Sequence, residues 1–252
     1  MVGNLLLRGM LVGVFAGLLA FGFARVFGEP QVDRAIAFEE EMSKAKGETA
    51  EPELVSRETQ AGAGLLTGVV VYGAAIGGLF SLVFAFVYGR FGRIGARAVA
   101  ALLALGGFIT IVLVPLVKYP ANPPSIGNPE TIGIRTELFF VLLVISLAAM
   151  ILAVSVVRRL QSRFGGWAAT VIAGAVFIAI VAVAEFALPE INEVPEQFSA
   201  VLLWRFRLAS LGIQIVLWTT IGLVFGALTE RSLAAKLSLR PRSRAASGRM
   251  SH

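Results

Sequence analysis

Cysteine is absent from the 252 residues, and histidine occurs once, at His252. Without cysteine there is no disulfide and no thiolate metal site. Without an internal histidine there is no His-containing triad, no His-bearing metal motif and no imidazole base within the fold, so a Ser–His intramembrane protease is excluded. No GxxxxGK[ST] phosphate loop occurs, which removes nucleotide hydrolysis by that route. The expectation is a non-enzyme, with a carboxylate-only enzyme left open. Charge is also scarce, at 15% of residues against roughly 25% in a soluble domain.

What remains is apolar: 57% of the residues, with a mean hydropathy of +0.81. The apolar residues come in six blocks, near Leu5–Phe27, Leu65–Tyr88, Ala98–Val117, Leu138–Val157, Ala168–Leu188 and Leu208–Leu228. Each approaches the ~20 apolar residues that cross a bilayer as helix. A strand barrel would need alternating segments about half as long. A large soluble core fails too, because little polar sequence is left to cover it. The expected fold class is therefore all-α, a polytopic membrane bundle of about six helices. The first block is long and ends in FARVFGEP rather than a small-residue cleavage site, so it is expected to be a permanent span rather than a signal peptide.

Basic residues fall in alternate loops: Arg90, Arg93 and Arg97, then Arg158, Arg159 and Arg163, then Arg231, Lys236, Arg240, Arg242, Arg244 and Arg249. The positive-inside rule assigns these segments to the cytoplasm, with both termini. Of the 16 acidic residues only Glu230 falls on that side. The inner side then carries about +12 and the outer side about −6. A basic inner face suits anionic lipid, so the expected partner is the lipid bilayer and not nucleic acid.

Residues 28–62 form the one sizeable extramembrane segment before the tail. Pro30 suits a first helical turn and Gly47 a stop. Ala35, Phe38, Met42 and Ala45 recur at helical spacing, which predicts a short amphipathic helix lying on the outer surface or capping the bundle, with an acidic loop as the alternative. Residues 1–231 are expected to form the membrane domain, and 232–252 a disordered basic tail. Gly9, Gly13 and Gly17, then Gly64, Gly68, Gly73 and Gly77, then Gly222 and Gly226 repeat at the four- and five-residue spacing that lets helices approach closely in lipid. Spans one, two and six are thus expected to form the tight core.

Polar groups within spans are costly and count as functional candidates. Glu185 lies about one turn inside the outer boundary, and Glu137 opens the fourth span. Gln214 shares a face with Trp218 and reads first as glue between helices, with a place in a cation pathway as the alternative. In LLWRFR, Trp204 suits an aromatic belt, and Arg205 and Arg207 are expected to pair with nearby outer acids. The stretch KYPANPPSIGNPE, Lys118 to Glu130, adds a stiff segment rich in carbonyls, with Asn122, Asn128 and Glu130 as further oxygens. It lines a water-filled mouth or forms a plain rigid lid. The expected cation pathway comprises Glu185, Glu137, Asn122, Glu130 and Gln214, with no metal ligand assigned.

Three segments, LRGMLVGVFAGLLAFGFARVFGEPQVDRAIAFEE, KYPANPPSIGNPETIGIRTELFF and LWRFRLASLGIQIVLWTTIGLVFGALTER, resemble the probable cobalt transporter subunit CbtA over nearly the whole chain to about Arg231. The resemblance implies a prokaryotic cytoplasmic-membrane permease component linked to cobalt supply for cobalamin. It also implies a small single-span partner, CbtB, bearing histidines. The function expected is a membrane subunit of a divalent metal uptake system, with a non-transporting scaffold or sensor as the alternative. No permanent cofactor is expected, only a transported divalent cation such as Co²⁺. That ion usually takes imidazole, whereas this chain offers oxygen donors. Selectivity then comes from a His-bearing partner, or the ion crosses largely hydrated.

Overall fold

A computed structural model of the chain describes residues 2–47, 55–90, 94–124 and 126–238. Arg93, His252 and the basic residues Arg240, Arg242, Arg244 and Arg249 lie outside the described residues. All the regular elements described are helical. They are α1 (Val2–Phe23), α2 (Glu29–Lys46), α3 (Arg57–Thr59), α4 (Leu65–Val87), α5 (Ala96–Gly107), α6 (Val114–Lys118), α7 (Ile132–Ala187) and α8 (Ala200–Ser238). Wide π turns at Ala24–Gly28, Gln60–Gly64 and Phe108–Leu113 join α1 to α2, α3 to α4 and α5 to α6. Helix α8 continues through Ser232–Ser238, the first residues of the segment expected as a tail.

Five continuous helices are long and apolar enough to cross a membrane: Val2–Lys46, Arg57–Val87, Ala96–Lys118, Pro129–Ala187 and Ala200–Ala235. The fourth contains two of the six apolar blocks. Drawn straight, its 59 residues would extend ~90 Å, three times the hydrocarbon thickness of ~30 Å. It is not straight. Gly165 adopts φ 78° and ψ 161°, a region essentially reserved for glycine. The two limbs fold back antiparallel. Leu142 of the first limb and Ala184 of the second pack in one cluster with Val114, and Arg135 near one end pairs with Glu193 beyond the other. The bundle therefore has six rods.

The first helix likewise exceeds the bilayer, because α2 continues α1 beyond it. Its polar sequence, EPQVDRAIAFEEEMSKAK, is unsuited to hydrocarbon. Pro30 lies in its first turn, and Gly47 closes it in the left-handed region. Ala35 and Phe38 pack on Ile126, Phe198 and Leu202, so α2 caps the end of the bundle where the 118–131 and 189–199 connections also meet.

Glycine sets the core. A Cβ on Gly13 would strike the carbonyl of Gly73, and one on Gly9 that of Gly77, so α1 and α4 run antiparallel in backbone contact. In lipid this closeness matters because dispersion, rather than water exclusion, holds helices together. Helix α8 meets α5 through Gly222 and Gly226, which face Ala104 and Ala100. Phe80, Phe84 and Phe225 interlock edge to face beside them. The expected core of spans one, two and six thus forms, with span three added by Val99, Ala100 and Ala104. Gly68 stands clear of the seam, with nothing within 4 Å of its Cβ position.

Candidate cation-entry site

The site begins with the breaks in the helices. Within the third span the π turn Phe108–Leu113 precedes buried Pro115, whose ring and missing N–H disfavour a regular α turn there. The loosened Thr110 carbonyl accepts a hydrogen bond from the Ser146 hydroxyl of α7 at 2.6 Å. This bond ties the hairpin to the third span and directs Lys118 and Tyr119 toward the hairpin's end.

Lys118 is nearly buried, with 9% of its side chain exposed, and its ammonium lies 3.8 Å from Glu190. Its charge also acts on Glu185, on the second limb of α7. The Tyr119 hydroxyl donates to the Pro189 carbonyl at 2.9 Å. Burial, reinforced by the charge of Glu185, pushes this phenol above its ordinary pKa, so it remains a donor. A second group lies beside the first. Glu193 accepts from the Thr131 hydroxyl, from the Asn128 N–H at 2.9 Å and from Arg135 at 3.2 Å. The Thr131 and Asn128 hydrogen bonds, then the Arg135 charge, hold the Glu193 carboxyl below the usual carboxylate range.

The expected site residues have different fates. Glu185 is half-buried and faces a tethered cation, Lys118. Asn122 is half-buried, and its Oδ1 accepts from Arg207 Nη2 at 2.9 Å. Arg207 also donates to the Ala121 carbonyl. It therefore clamps the proline loop and, among the described residues, pairs with no outer acid, because the Asn122 side chain and the Ala121 carbonyl take its N–H groups. Glu130 lies in the short 3-10 turn Pro129–Thr131, where its N–H donates to the capping Asn128 side chain, and its own side chain is exposed. Glu137 is exposed on the first limb of α7. Gln214 lies seven residues, about 10 Å, deeper along α8 than Arg207. It faces the Tyr72 hydroxyl of α4, and its Oε1 is buried without a hydrogen-bond partner, as is Nε1 of Trp218 one turn on.

Glu185, Asn122 and Glu130 thus share one end of the bundle, whereas Gln214 belongs to its interior. Among the described residues no three His, Cys, Asp or Glu side chains converge closely enough to hold a metal ion. The arrangement offers separate carboxylates, balanced by lysine and arginine, and no closed set of metal ligands among the described residues. Lys118, Arg135 and Glu193 escaped notice in the sequence because their importance lies in contacts between distant segments.

None of the curated proteins compared, and none of the solved structures, matches the chain. One family does match, over residues 2–230, and it is described as probable cobalt transporter subunit (CbtA). The match spans all six rods, the proline loop and both ends of the α7 hairpin, and on that basis the chain belongs to the CbtA family.

Proposed function

We propose that this chain is the membrane subunit of a divalent-cation uptake system, with Co²⁺ as cargo, working with a small histidine-bearing membrane partner. It lies in the cytoplasmic membrane of a prokaryote with both termini inside. The observation that carries this reading is the convergence of the proline loop, Glu185, Glu190 and Glu193 at one end of the bundle. Acids there concentrate cations. Their lysine and arginine neighbours keep them from binding one so tightly that it could not move on. The oxygen donors of this end are hard and suit Mg²⁺ or Mn²⁺ at least as well as Co²⁺. Preference for cobalt then rests on imidazoles supplied by the partner.

The test is cobalt accumulation in cells expressing the chain alone, the partner alone, or both. Uptake that requires both supports a transporting subunit. Uptake by the partner alone at the full rate, with this chain only raising its abundance, would turn the assignment to a scaffold.

A further inference from the structure

We propose that the groove between α1 and α8, ending at Arg8, binds one anionic phospholipid, with the lipid phosphate on the Arg8 guanidinium and an acyl chain along Leu7, Leu11 and Phe15.

The groove has a volume of about 670 Å³ and is lined by α1 and by Val224 and Leu228 of α8. Its α1 wall is a helical stripe in which Leu7, Leu11 and Phe15 are 59%, 60% and 48% exposed. In a bilayer these side chains face acyl chains, and the stripe runs ~12 Å from Leu7 to Phe15. That is deep enough for the upper half of a fatty acyl chain. The polar members, Asn4 and Arg8, lie together at one end, as the headgroup and tail of a phospholipid require.

Charge identifies the headgroup. Helix α8 presents Thr229 and Glu230 side by side, one to each of two arginines. Arg97 pairs with the Glu230 carboxylate at 3.2 Å. Arg8 donates to the neutral, buried Thr229 hydroxyl, at 3.2 Å. Among the described residues no Asp or Glu pairs with Arg8. A guanidinium has five N–H donors in a planar fork that fits phosphate oxygens. Leaving it half-buried at the membrane boundary with one neutral partner is costly. Because Arg97 at the same level already has its counter-charge, the deficit is local to the groove rather than a property of the whole basic end. Basic pockets between transmembrane helices hold anionic headgroups on the same grounds.

The experiment uses the full chain, purified and returned to nanodiscs of phosphatidylcholine alone or with phosphatidylglycerol of the same acyl chains. Thermal unfolding and native mass spectrometry of retained lipid are the readouts. Phosphatidylglycerol should raise the melting temperature of the wild type and be retained as one adduct. Arg8→Gln should weaken that retention on the order of fivefold or more, while Arg8→Lys keeps part of it and Arg97→Gln leaves it unchanged. Inorganic phosphate should reproduce none of the stabilisation, because it lacks the chain that fills the groove. Equal losses in Arg8→Gln and Arg97→Gln would overturn the proposal in favour of a diffuse basic face. So would full stabilisation by inorganic phosphate, or a lipid-free dimer in place of the lipid adduct. If Arg8→Gln does not fold, Leu11→Trp, which blocks the tail path and keeps the charge, should lose the adduct; retention there equal to wild type would overturn the proposal.

Discussion

Arg135, near the start of α7, pairs at 3.2 Å with Glu193, which lies beyond that helix's far end. The pair closes the mouth of the hairpin, and Glu193 also holds the proline loop through the Asn128 N–H. Its folded pKa lies below the ordinary 4.5. Stability from this group is therefore present above about pH 4.5 and is lost as pH falls through the lower folded value. Melting of the wild type should fall with acidification in this window, and Glu193→Gln should flatten that part of the profile. An unchanged profile in the variant would remove Glu193 as the source.

The hairpin itself depends on Gly165. A side chain at φ 78° and ψ 161° is strained by about 1–3 kcal/mol. Gly165→Ala should lower thermal stability accordingly. Gly166→Ala, at a helical position with nothing within 4 Å of the added Cβ, should be neutral or stabilising. Equal effects at the two positions would contradict the reversal at Gly165.

The α1–α4 seam gives a second contrast between glycines. Gly13→Leu drives a side chain into the Gly73 carbonyl and should cost at least about 1–3 kcal/mol, the range for overpacking, seen as reduced folded yield in detergent. Gly68→Leu points into open space and should give normal yield. Poor yield from both would show a general intolerance of leucine rather than a seam.

At the proposed entry, Glu185→Gln preserves shape and removes charge. Cobalt uptake should fall strongly at normal membrane abundance. Neutralising the exposed Glu39, Glu40 and Glu41 together should do less, and mainly at low ionic strength, since surface fields are screened over ~8–10 Å. Wild-type uptake in Glu185→Gln would take this residue off the pathway.

Sidedness follows from the basic loops. Reporter fusions after Arg90 and after Phe164 should both lie in the cytoplasm. A fusion within the 189–199 connection should report the opposite face. A shared location for all three would break the six-rod topology in the membrane.

Much of this architecture was legible in the sequence because its causes are local. A block of twenty apolar residues must become helix in lipid, since no water is present to satisfy its backbone. Pro30 and Gly47 bound α2 by their own backbone preferences. The four-residue glycine spacing marked α1 as a close-packing helix before its neighbour was known. Spacing alone could not distinguish Gly73 and Gly77, which meet α1, from Gly68, which meets nothing, because a helix has several faces and only the partner selects one. The carboxylates follow the same rule. Glu185 and Asn122 are conspicuous by position, yet Lys118 and Arg207 decide their electrostatics, and those pairings depend on where the third span, the hairpin and α8 meet. The sequence determined which segments are helical and where the chain turns; the tertiary structure decided which charges neutralise one another and, among the described residues, left Arg8 without a carboxylate.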